Sequence, residues 1–499
     1  SNSFCTLLGE ATMSVSFSTI IQKARPNPLT VTSNAMREAL AKVPPSHVTK
    51  LSNGVRVATE HNHNAKFATV GIWIDAGTRY DMRHQQGMSK VLQYAGFQGT
   101  TSADRQTLSR TIDELGGQLT VETGRELSFM SLKVAKANVP KAVEFLADIY
   151  RNARLSEEDV TAAKAAVETA RHQNEENVDN LLDDNLHVCA YDATFEGGLG
   201  NKLYGTPEGI QAVTKDALLE FRNKYYTAGR TIVVGSGAVS QKELEGLAQQ
   251  FLGDLADKTV EVPETRFVGG DIRLWNVRNS TWHGQMGVET MGAMCGDTVP
   301  LTLVTHIHGH YHRSQHELGQ HALHRLAKMY SSLDFGGNYT DIHHPKSIET
   351  LDSYYHQYSD TGLLGMKGAG RQVKSHPHYA RSMGDIFGNA VWDWSRIARK
   401  AIDHTELAQA KVNYKAQLMY NLDGTHNNAK DLARQVHLYG RRVPLEEMFT
   451  RIDDLSPSNV QETLSHYFID RKPVYSFYGY FYPEFGYDVL QHYHSRILL

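Results

Sequence analysis

The sequence predicts an α+β protein of two duplicated domains, each a mostly antiparallel sheet with helices packed on one face. Three observations favour this class. The chain has 499 residues, more than one ordinary hydrophobic core organises. Strand-rich and helix-rich stretches alternate along its first half. A pattern near position 210 also recurs near the C-terminus.

The recurring pattern runs from 210 to 233 and again from 452 to 475, an offset of 242 residues. In each copy a helix is expected to begin after a capping hydroxyl, Thr214 or Ser456, and Pro457 suits a first helical turn. An aromatic pair, a short basic turn and a β-rich run follow in both copies. A match of this length in one register indicates a duplicated unit of roughly 240 residues.

Periodicity in the first half predicts individual elements. The predicted strands cover 55–59 and 68–74, and the predicted helices cover 87–98, 104–116, 139–152 and 156–190. Helical periodicity breaks at 256–270, before the second copy. We therefore predict an N-terminal arm at 1–40 and a first domain at 41–255. A linker at 256–270 is expected to lead to a second domain with a C-terminal extension at 271–499.

Composition argues against several classes of protein. The formal net charge of −4, with 25 histidines, leaves no basic surplus for nucleic acid. The three cysteines are far apart, which indicates neither a metal site nor a disulfide framework and suits a reducing compartment. No apolar run is long enough to span a bilayer, although a peripheral position on a membrane complex is compatible. Phosphate-loop, dinucleotide and haem motifs are absent, so we expect no cofactor.

The first 30 residues are rich in Ser and Thr and contain Lys23 and Arg25 against a single acid, Glu10. This composition is typical of an organellar transit peptide, but no dense arginine face is present. A plain N-terminal arm fits equally well. Our preferred interpretation is a matured organellar protein that retains an arm.

Residues 51–81 and 87–100 resemble the first strands and the zinc helix of the pitrilysin-type (inverzincin) metallopeptidases in their mitochondrial branch. That branch contains the processing peptidase and the core subunits of ubiquinol–cytochrome c reductase. The resemblance implies the processing-peptidase (LuxS-like) metallohydrolase fold in both domains.

In this family a His-x-x-Glu-His helix supplies two zinc ligands on one face and a base that deprotonates a metal-bound water. Here the three positions are Lys90, Gln93 and Tyr94. The third ligand, a Glu 76 residues further on, corresponds to Ala170, and counting back 17 residues from His187 in the Leu-His pair gives the same position. The resemblance therefore implies a degenerate site with no catalytic residue and no metal.

Two further observations bear on catalysis. Recruitment of Glu168 could supply one carboxylate, but both histidines would still be missing. Residues 120–122 read Thr-Val-Glu where active relatives carry the Asn-Ala-Tyr that helps to hold substrate. Both weaken a peptidase interpretation.

The resemblance extends over about 440 residues, which the motif matches at 116–117, 125–126, 360–365, 421–425, 431–435 and 439–447 support. Only Gly336–Gly337 stands where the glycine-rich loop of the processing enzyme's partner subunit is expected, which places the chain on the first-core side. This implies a structural subunit of complex III, peripheral on the matrix side of the mitochondrial inner membrane. Implied partners are a second-core-like subunit, cytochrome b, cytochrome c1, the Rieske protein and small subunits. The alternatives are an active or regulatory subunit of the mitochondrial processing peptidase.

One segment, 270–345, is atypical and holds a rival site. Seven histidines crowd into it: His306, His308, His310, His312, His316, His321 and His324. On one helix, His308, His312 and His316 would share a face. A metal is one interpretation, but no third ligand type or supporting partner is identifiable. We expect instead a polar helix face at a subunit contact. The aromatic run at 477–483 is likewise predicted to be an interface.

Overall fold

The computed structural model describes residues 40, 43–192, 197–262, 264–276, 278, 281–315, 321–332, 348–371, 382–400, 402–479, 487, 491 and 494. Several predictions lie outside the described residues. They are the arm at 1–39, His316, Gly336–Gly337 and most of the C-terminal extension.

The described residues of the first half form six strands and eight α-helices. The strands are β1 (Ser46–Lys50), β2 (Arg56–His61), β3 (Phe67–Ile74), β4 (Gln118–Thr123), β5 (Ser128–Ala135) and β6 (Thr231–Gly237). The helices are α1 (Met88–Gly96), α2 (Arg105–Glu114), α3 (Val139–Asn152), α4 (Glu157–Glu176), α5 (Val178–Ala190), α6 (Pro207–Ala212), α7 (Lys215–Tyr225) and α8 (Gln241–Leu252).

In the second half, the part of the chain that the structure describes forms six strands and seven α-helices. The strands are β7 (Gly270–Trp275), β8 (Thr281–Met291), β9 (His310–His312), β10 (Ile348–Gln357), β11 (Thr361–Arg371) and β12 (Pro473–Gly479). The helices are α9 (Thr298–His308), α10 (Ala322–Ser332), α11 (Ser382–Arg399), α12 (His404–Asn421), α13 (Thr425–Tyr439), α14 (Leu445–Asp453) and α15 (Pro457–Phe468).

Each half forms one six-stranded sheet, in the orders β1-β2-β6-β3-β5-β4 and β7-β12-β8-β11-β10-β9. In the first sheet β2 pairs with β6 in parallel, and in the second β7 pairs with β12 in parallel. All the other pairs within the two sheets are antiparallel. The predicted α+β class, with two mostly antiparallel sheets, is confirmed. The limits proposed for arm, domains and linker stay predictions.

The duplication is visible at matching positions. The side chains of Thr214 and Ser456 cap α7 and α15 by accepting hydrogen bonds from the amides of Ala217 and Asn459, at 3.2 Å in each case. The strands that follow, β6 and β12, begin and end 242 residues apart. The predicted long helix at 156–190 is in fact two helices, because Asn177 ends α4 and its side chain caps α5.

Alternation along the strands divides the apolar side chains of the first sheet between its two faces. On β3, Val70 and Ile72 belong to a large core with the helices of the first half, whereas Trp73 points to the opposite face. This opposite face is covered by α13 of the second half, through residues such as Leu432 and Val436. The helix-covered face is as predicted; the helix on the other face was not foreseen.

The exchange of helices is reciprocal. Helix α5 of the first half packs on β7, β8 and β12 of the second sheet. There Leu186 and Ala190 contact Leu363 and Val474 in a small apolar cluster. We call α5 and α13 the crossing helices. No helix of the described residues has the length and apolarity needed to cross a membrane.

Replacing Gly479 by alanine is expected to destabilise the fold by about 1–3 kcal/mol. Gly479 ends β12 at φ +113°, and a Cβ there would lie 2.2 Å from the carbonyl oxygen of Thr281. Gly237, its counterpart at the end of β6, has φ +95° and meets Phe67 in the same way. Gly246 in α8 has nothing within 4 Å, so Gly246→Ala is the matched control. Urea unfolding midpoints measure both variants, and equal midpoints would refute the assignment.

Candidate functional site

Helix α1 carries three of the four positions that the resemblance assigns to zinc chemistry. It begins at Gly87, whose φ is +100°. The carboxylate of Asp81 accepts hydrogen bonds from the amides of Gly87 and Ser89 at 2.9 and 3.0 Å and so caps the helix. Burial raises the pKa of Asp81 to about 7, against these hydrogen bonds. The orientation of α1 is therefore fixed by a buried contact.

Lys90 occupies the position of the first histidine ligand. Its side chain is buried at 4% exposure, and Nζ lies 4.4 Å from the ring centroid of Tyr204. Burial lowers the pKa of Lys90 to about 8, although the carboxylates of Glu122, Asp184 and Asp81 oppose the shift. A protonated ammonium has no lone pair to give a metal. Lys90 therefore places a positive charge, with acidic side chains nearby, at this position of α1.

Gln93 and Tyr94 are half-buried on the same helix. An amide cannot take a proton from water, so Gln93 cannot serve as the base. Ala170 is half-buried on α4, which packs against α1. The structure thus brings together the two helices of the predicted site, and at these four positions they carry no imidazole and no carboxylate.

Glu168, the carboxylate considered for recruitment, is held by an ion pair. Its Oε1 lies 2.7 Å from Nη2 of Arg171, which also bonds Glu175 at 2.6 Å. Hydrogen bonding from Arg171 lowers the pKa of Glu168. Throughout the described residues, no three His, Cys, Asp or Glu side chains are grouped so as to hold a metal ion.

The prediction of one polar helix across the histidine-rich segment is wrong. Helix α9 ends at His308, Gly309 follows with φ +70°, and the chain then enters β9. The side chain of His308 is fully buried, with its ring centroid 4.7 Å from that of Trp394. His306 stacks on Tyr414 at 4.9 Å. His308 ends α9 and His312 lies on β9, so these two do not share a helix face; a subunit contact at this segment stays a prediction.

The paired motifs of the two halves meet at the joint between the sheets. Arg79 is buried at 1% exposure and donates to Glu126 at 2.9 Å and to both carboxylate oxygens of Asp360. Ser359 closes the network by donating its amide and hydroxyl to Glu126, at 3.0 and 2.6 Å. The Arg-Glu and Asp-Thr-Gly motifs thus fasten one half to the other.

A second contact at the joint involves His187, from the Leu-His pair on α5. Its Nδ1 lies 2.6 Å from the carbonyl oxygen of Asp183, and its Nε2 lies 2.6 Å from the hydroxyl of Tyr358. Burial lowers the pKa of His187 to about 3, so the ring is neutral. The Nδ1–H therefore donates to the carbonyl, and Nε2 accepts from Tyr358.

Replacing Tyr358 by phenylalanine is expected to cost about 1–3 kcal/mol, because it leaves the buried Nε2 of His187 without a donor. Tyr420 on α12 is 75% exposed, so Tyr420→Phe is the control and is expected to be neutral. The free energy of unfolding in urea measures both. A Tyr358→Phe protein as stable as its control would contradict the assigned tautomer.

Sequence reasoning recorded Arg125–Glu126, His187 and Asp360 as family matches but did not find that they meet. Arg79 and Asp183 were not singled out, and the contact of Tyr358 with His187 was not foreseen. The sequence signal for Arg125–Glu126, His187 and Asp360 was that each belongs to a family motif and that such motifs occur in both halves. Arg79 lies directly after the first strands, in a segment matched only for its strands.

Comparison with known proteins agrees with this geometry. Two family profiles match: insulinase (peptidase family M16) at residues 56–206 and the peptidase M16 inactive domain at 212–411. The chain is 32% identical to the mitochondrial ubiquinol-cytochrome-c reductase complex core protein I of Euglena gracilis, over 88% of this chain and 87% of that protein. It is 28% identical to the mitochondrial-processing peptidase subunit beta of Rattus norvegicus, over 90% and 87%.

Among solved structures, a chain of complex III2 from Candida albicans, bound to Inz-5, superposes with a TM-score of 0.78. The match covers 90% of this chain and 99% of that chain at 21% identity, so it supports the fold. The fold, the two matching profiles and the 32% identity over most of both chains agree. This chain belongs to the M16 (insulinase) peptidase family.

Proposed function

We propose that the protein is a non-catalytic core subunit of mitochondrial ubiquinol–cytochrome c reductase, complex III. It lies peripherally on the matrix side of the inner membrane and supports assembly and stability of the complex. The 32% identity to a core protein I over nearly the whole chain supports this assignment. Its partners are a second-core-like subunit, cytochrome b, cytochrome c1, the Rieske protein and small subunits.

One observation carries the non-catalytic part of the proposal: the buried ammonium of Lys90 on the metal-binding face of α1. A divalent ion beside it would be repelled by a like charge in a poorly hydrated site. The carboxylates of Glu122 and Asp184 favour the charged form of Lys90, while their own ion pairs are with Lys430 and Arg125, each at 2.7 Å. No step of hydrolysis is assigned to this chain.

Exposed apolar residues support a place within an assembly. On α12, Val412, Met419 and Tyr420 are 43, 39 and 75% exposed. Trp392 on α11 and Met294 before α9 are 60 and 71% exposed. Large exposed aromatic and apolar side chains are enriched where proteins meet other proteins.

The decisive test is gentle detergent extraction followed by identification of what travels with the chain. We expect a haem-containing membrane complex, substoichiometric zinc in this chain and no cleavage of a presequence peptide by it. Stoichiometric zinc bound between residues 90 and 170, together with turnover, would falsify the proposal.

A restored variant makes the zinc measurement quantitative. It combines Lys90→His, Gln93→Glu, Tyr94→His and Ala170→Glu, which rebuilds the ligand set that the family resemblance defines. We expect this variant to bind about one zinc and the natural sequence to bind none. The matched control keeps Lys90 and changes only the other three positions, and we expect it to bind zinc weakly or not at all.

The second candidate is a subunit of the mitochondrial processing peptidase, because the rat β subunit is 28% identical over 90% of this chain. Co-purification separates the two. A soluble heterodimer with a zinc-bearing partner favours the peptidase, and a haem-containing membrane complex favours the core subunit.

A further inference from the structure

A cavity of about 620 Å³ lies between the two halves, beside the start of the crossing helix α13. The first half lines it with the ends of β2 and β6, at residues such as Glu60 and Ser236. The second half lines it with the end of α12 and the starts of α13 and α14, at Met419, Thr425 and Leu445. We call it the seam cavity, because both halves build it.

Towards the N-terminus, the chain leaves the described residues at the wall of the seam cavity. Leu40 is helical and half-buried, and together with Val43 and Pro44 it forms part of this wall. The amide of Val43 donates to the carbonyl oxygen of Leu40 at 3.1 Å. Residues 1–39 are therefore tethered beside the cavity. A short tether gives a segment an effective concentration of the order of millimolar at such a site, which few free ligands reach.

The segment just before Leu40 has the sequence pattern of an amphipathic helix. A residue that favours helix starts, Ser33, precedes it. Apolar residues then recur at the i, i+3, i+4 and i+7 spacing of a single helix face: Met36, Ala39, Leu40 and Val43. An apolar face of this kind needs another apolar surface to cover it.

The seam cavity offers such a surface. Its apolar side chains include Leu422 and Leu445, which are half-buried, and Val43 and Met419, which are 40 and 39% exposed. Apolar side chains from both halves are thus gathered around one opening and left in contact with water. On a helix that continues back from Leu40, a residue four positions earlier lies about 6 Å away along the axis, at this opening.

The charges of the arm and the cavity are complementary. The charged residues that line the cavity are Glu60, Arg442 and Glu446. Arg442 is already occupied, because it lies 3.8 Å from Glu60 and pairs with a second carboxylate. Glu446 is exposed and pairs with no cation of the described residues. On the arm, Arg37 flanks the apolar face one position after Met36, which suits an acidic partner.

We propose that residues 33–39 of the arm pack as a helix over the seam cavity, with Met36 against Met419 and Arg37 beside Glu446. The arm then contacts the first half and the second half at once, so it acts as an intramolecular strap across the joint. Val412 and Tyr420 on α12 do not line the cavity and stay available to a partner.

Hydroxyl-radical footprinting with mass spectrometry tests the contact in the full chain, in the complex with which it purifies. The oxidation rate of Met419 is compared between the natural sequence and Met36→Asp, which places a charge on the apolar face. Asn34→Asp is the matched control, because it adds the same charge to the opposite face of the helix. Trp392, which is 60% exposed on α11, is the internal reference.

We expect Met36→Asp to raise the oxidation rate of Met419 severalfold and Asn34→Asp to leave it unchanged. Met36→Leu should retain the protection, because leucine keeps the apolar contact. Protection of Met419 that persists in Met36→Asp would show that a partner subunit, a second copy or a bound small molecule covers the cavity. Rapid oxidation of Met419 in the natural sequence would show that the arm leaves it open. Either result overturns the proposal.

Discussion

Acidification from pH 7 to pH 5 is expected to destabilise the fold strongly. Four buried or mostly buried histidines have depressed pKa values, caused chiefly by burial. The pKa is about 3 for His187 and His494 and about 4 for His306 and His308. An unfolded histidine has a pKa near 6.5. Below that pH these histidines bind protons in the unfolded chain but remain neutral in the folded chain.

The sign follows from linkage. A base whose folded pKa lies below its unfolded value contributes full stability above pH 6.5 and loses it as pH falls towards 4. Each such group gives a slope of up to about 1.4 kcal/mol per pH unit. Asp81 acts in the opposite sense between pH 7 and 4, because burial raises its pKa to about 7. For these five groups together, four histidines less one carboxyl leave a contribution to the slope of up to about 4 kcal/mol per pH unit.

Thermal unfolding as a function of pH measures the slope. His187→Gln is expected to reduce the slope by the contribution of about one proton. Glutamine can still accept a hydrogen bond from Tyr358, but it does not titrate. The side chain of His172 is 63% exposed, so His172→Gln is the control and should leave the slope unchanged. A melting temperature that is flat between pH 7 and 5 would contradict the assignment.

The second large effect is expected at the joint between the halves. Replacing Arg79 by methionine should lower the free energy of unfolding by about 3–5 kcal/mol, because it leaves the carboxylate of Glu126 buried without its cation. The Glu126 side chain is only 10% exposed. Removing one partner of a buried pair costs more than the pair contributes, since the charge left behind cannot be hydrated.

Arg371→Met is the control, because Arg371 and Glu349 form an ion pair at 2.6 Å whose side chains are 62 and 34% exposed. An exposed pair contributes about 0–1 kcal/mol, so this loss should be small. Urea unfolding followed by tryptophan fluorescence measures both. Equal losses for the two arginines would show that the contact at the joint does not stabilise the fold.

Local and duplicated features were predictable from sequence. The caps at Thr214 and Ser456 depend on residues within three positions, and the repeat made each copy support the other. The break after His308 was missed although Gly309 stood in the sequence, because helical spacing of histidines was given more weight than a glycine that ends a helix. The degenerate positions were found by counting along a known motif, so they needed no tertiary information.

Long-range partners were not predictable in this way. Arg79 and Asp360 are 281 positions apart, and nothing local in either segment specifies the other. The same holds for Tyr358 and His187. The cover of each sheet by a helix from the opposite half is also set by tertiary packing, since α5 and α13 have ordinary local patterns.

The crossing helices have a consequence for synthesis. When a ribosome has completed β6, Trp73 and Phe129 are still bare to water, because residues 425–439 have not yet been translated. Large domains commonly fold one after another as they emerge. In this chain the apolar face formed by Trp73 and Phe129 can be covered only after the last third of the chain has been made.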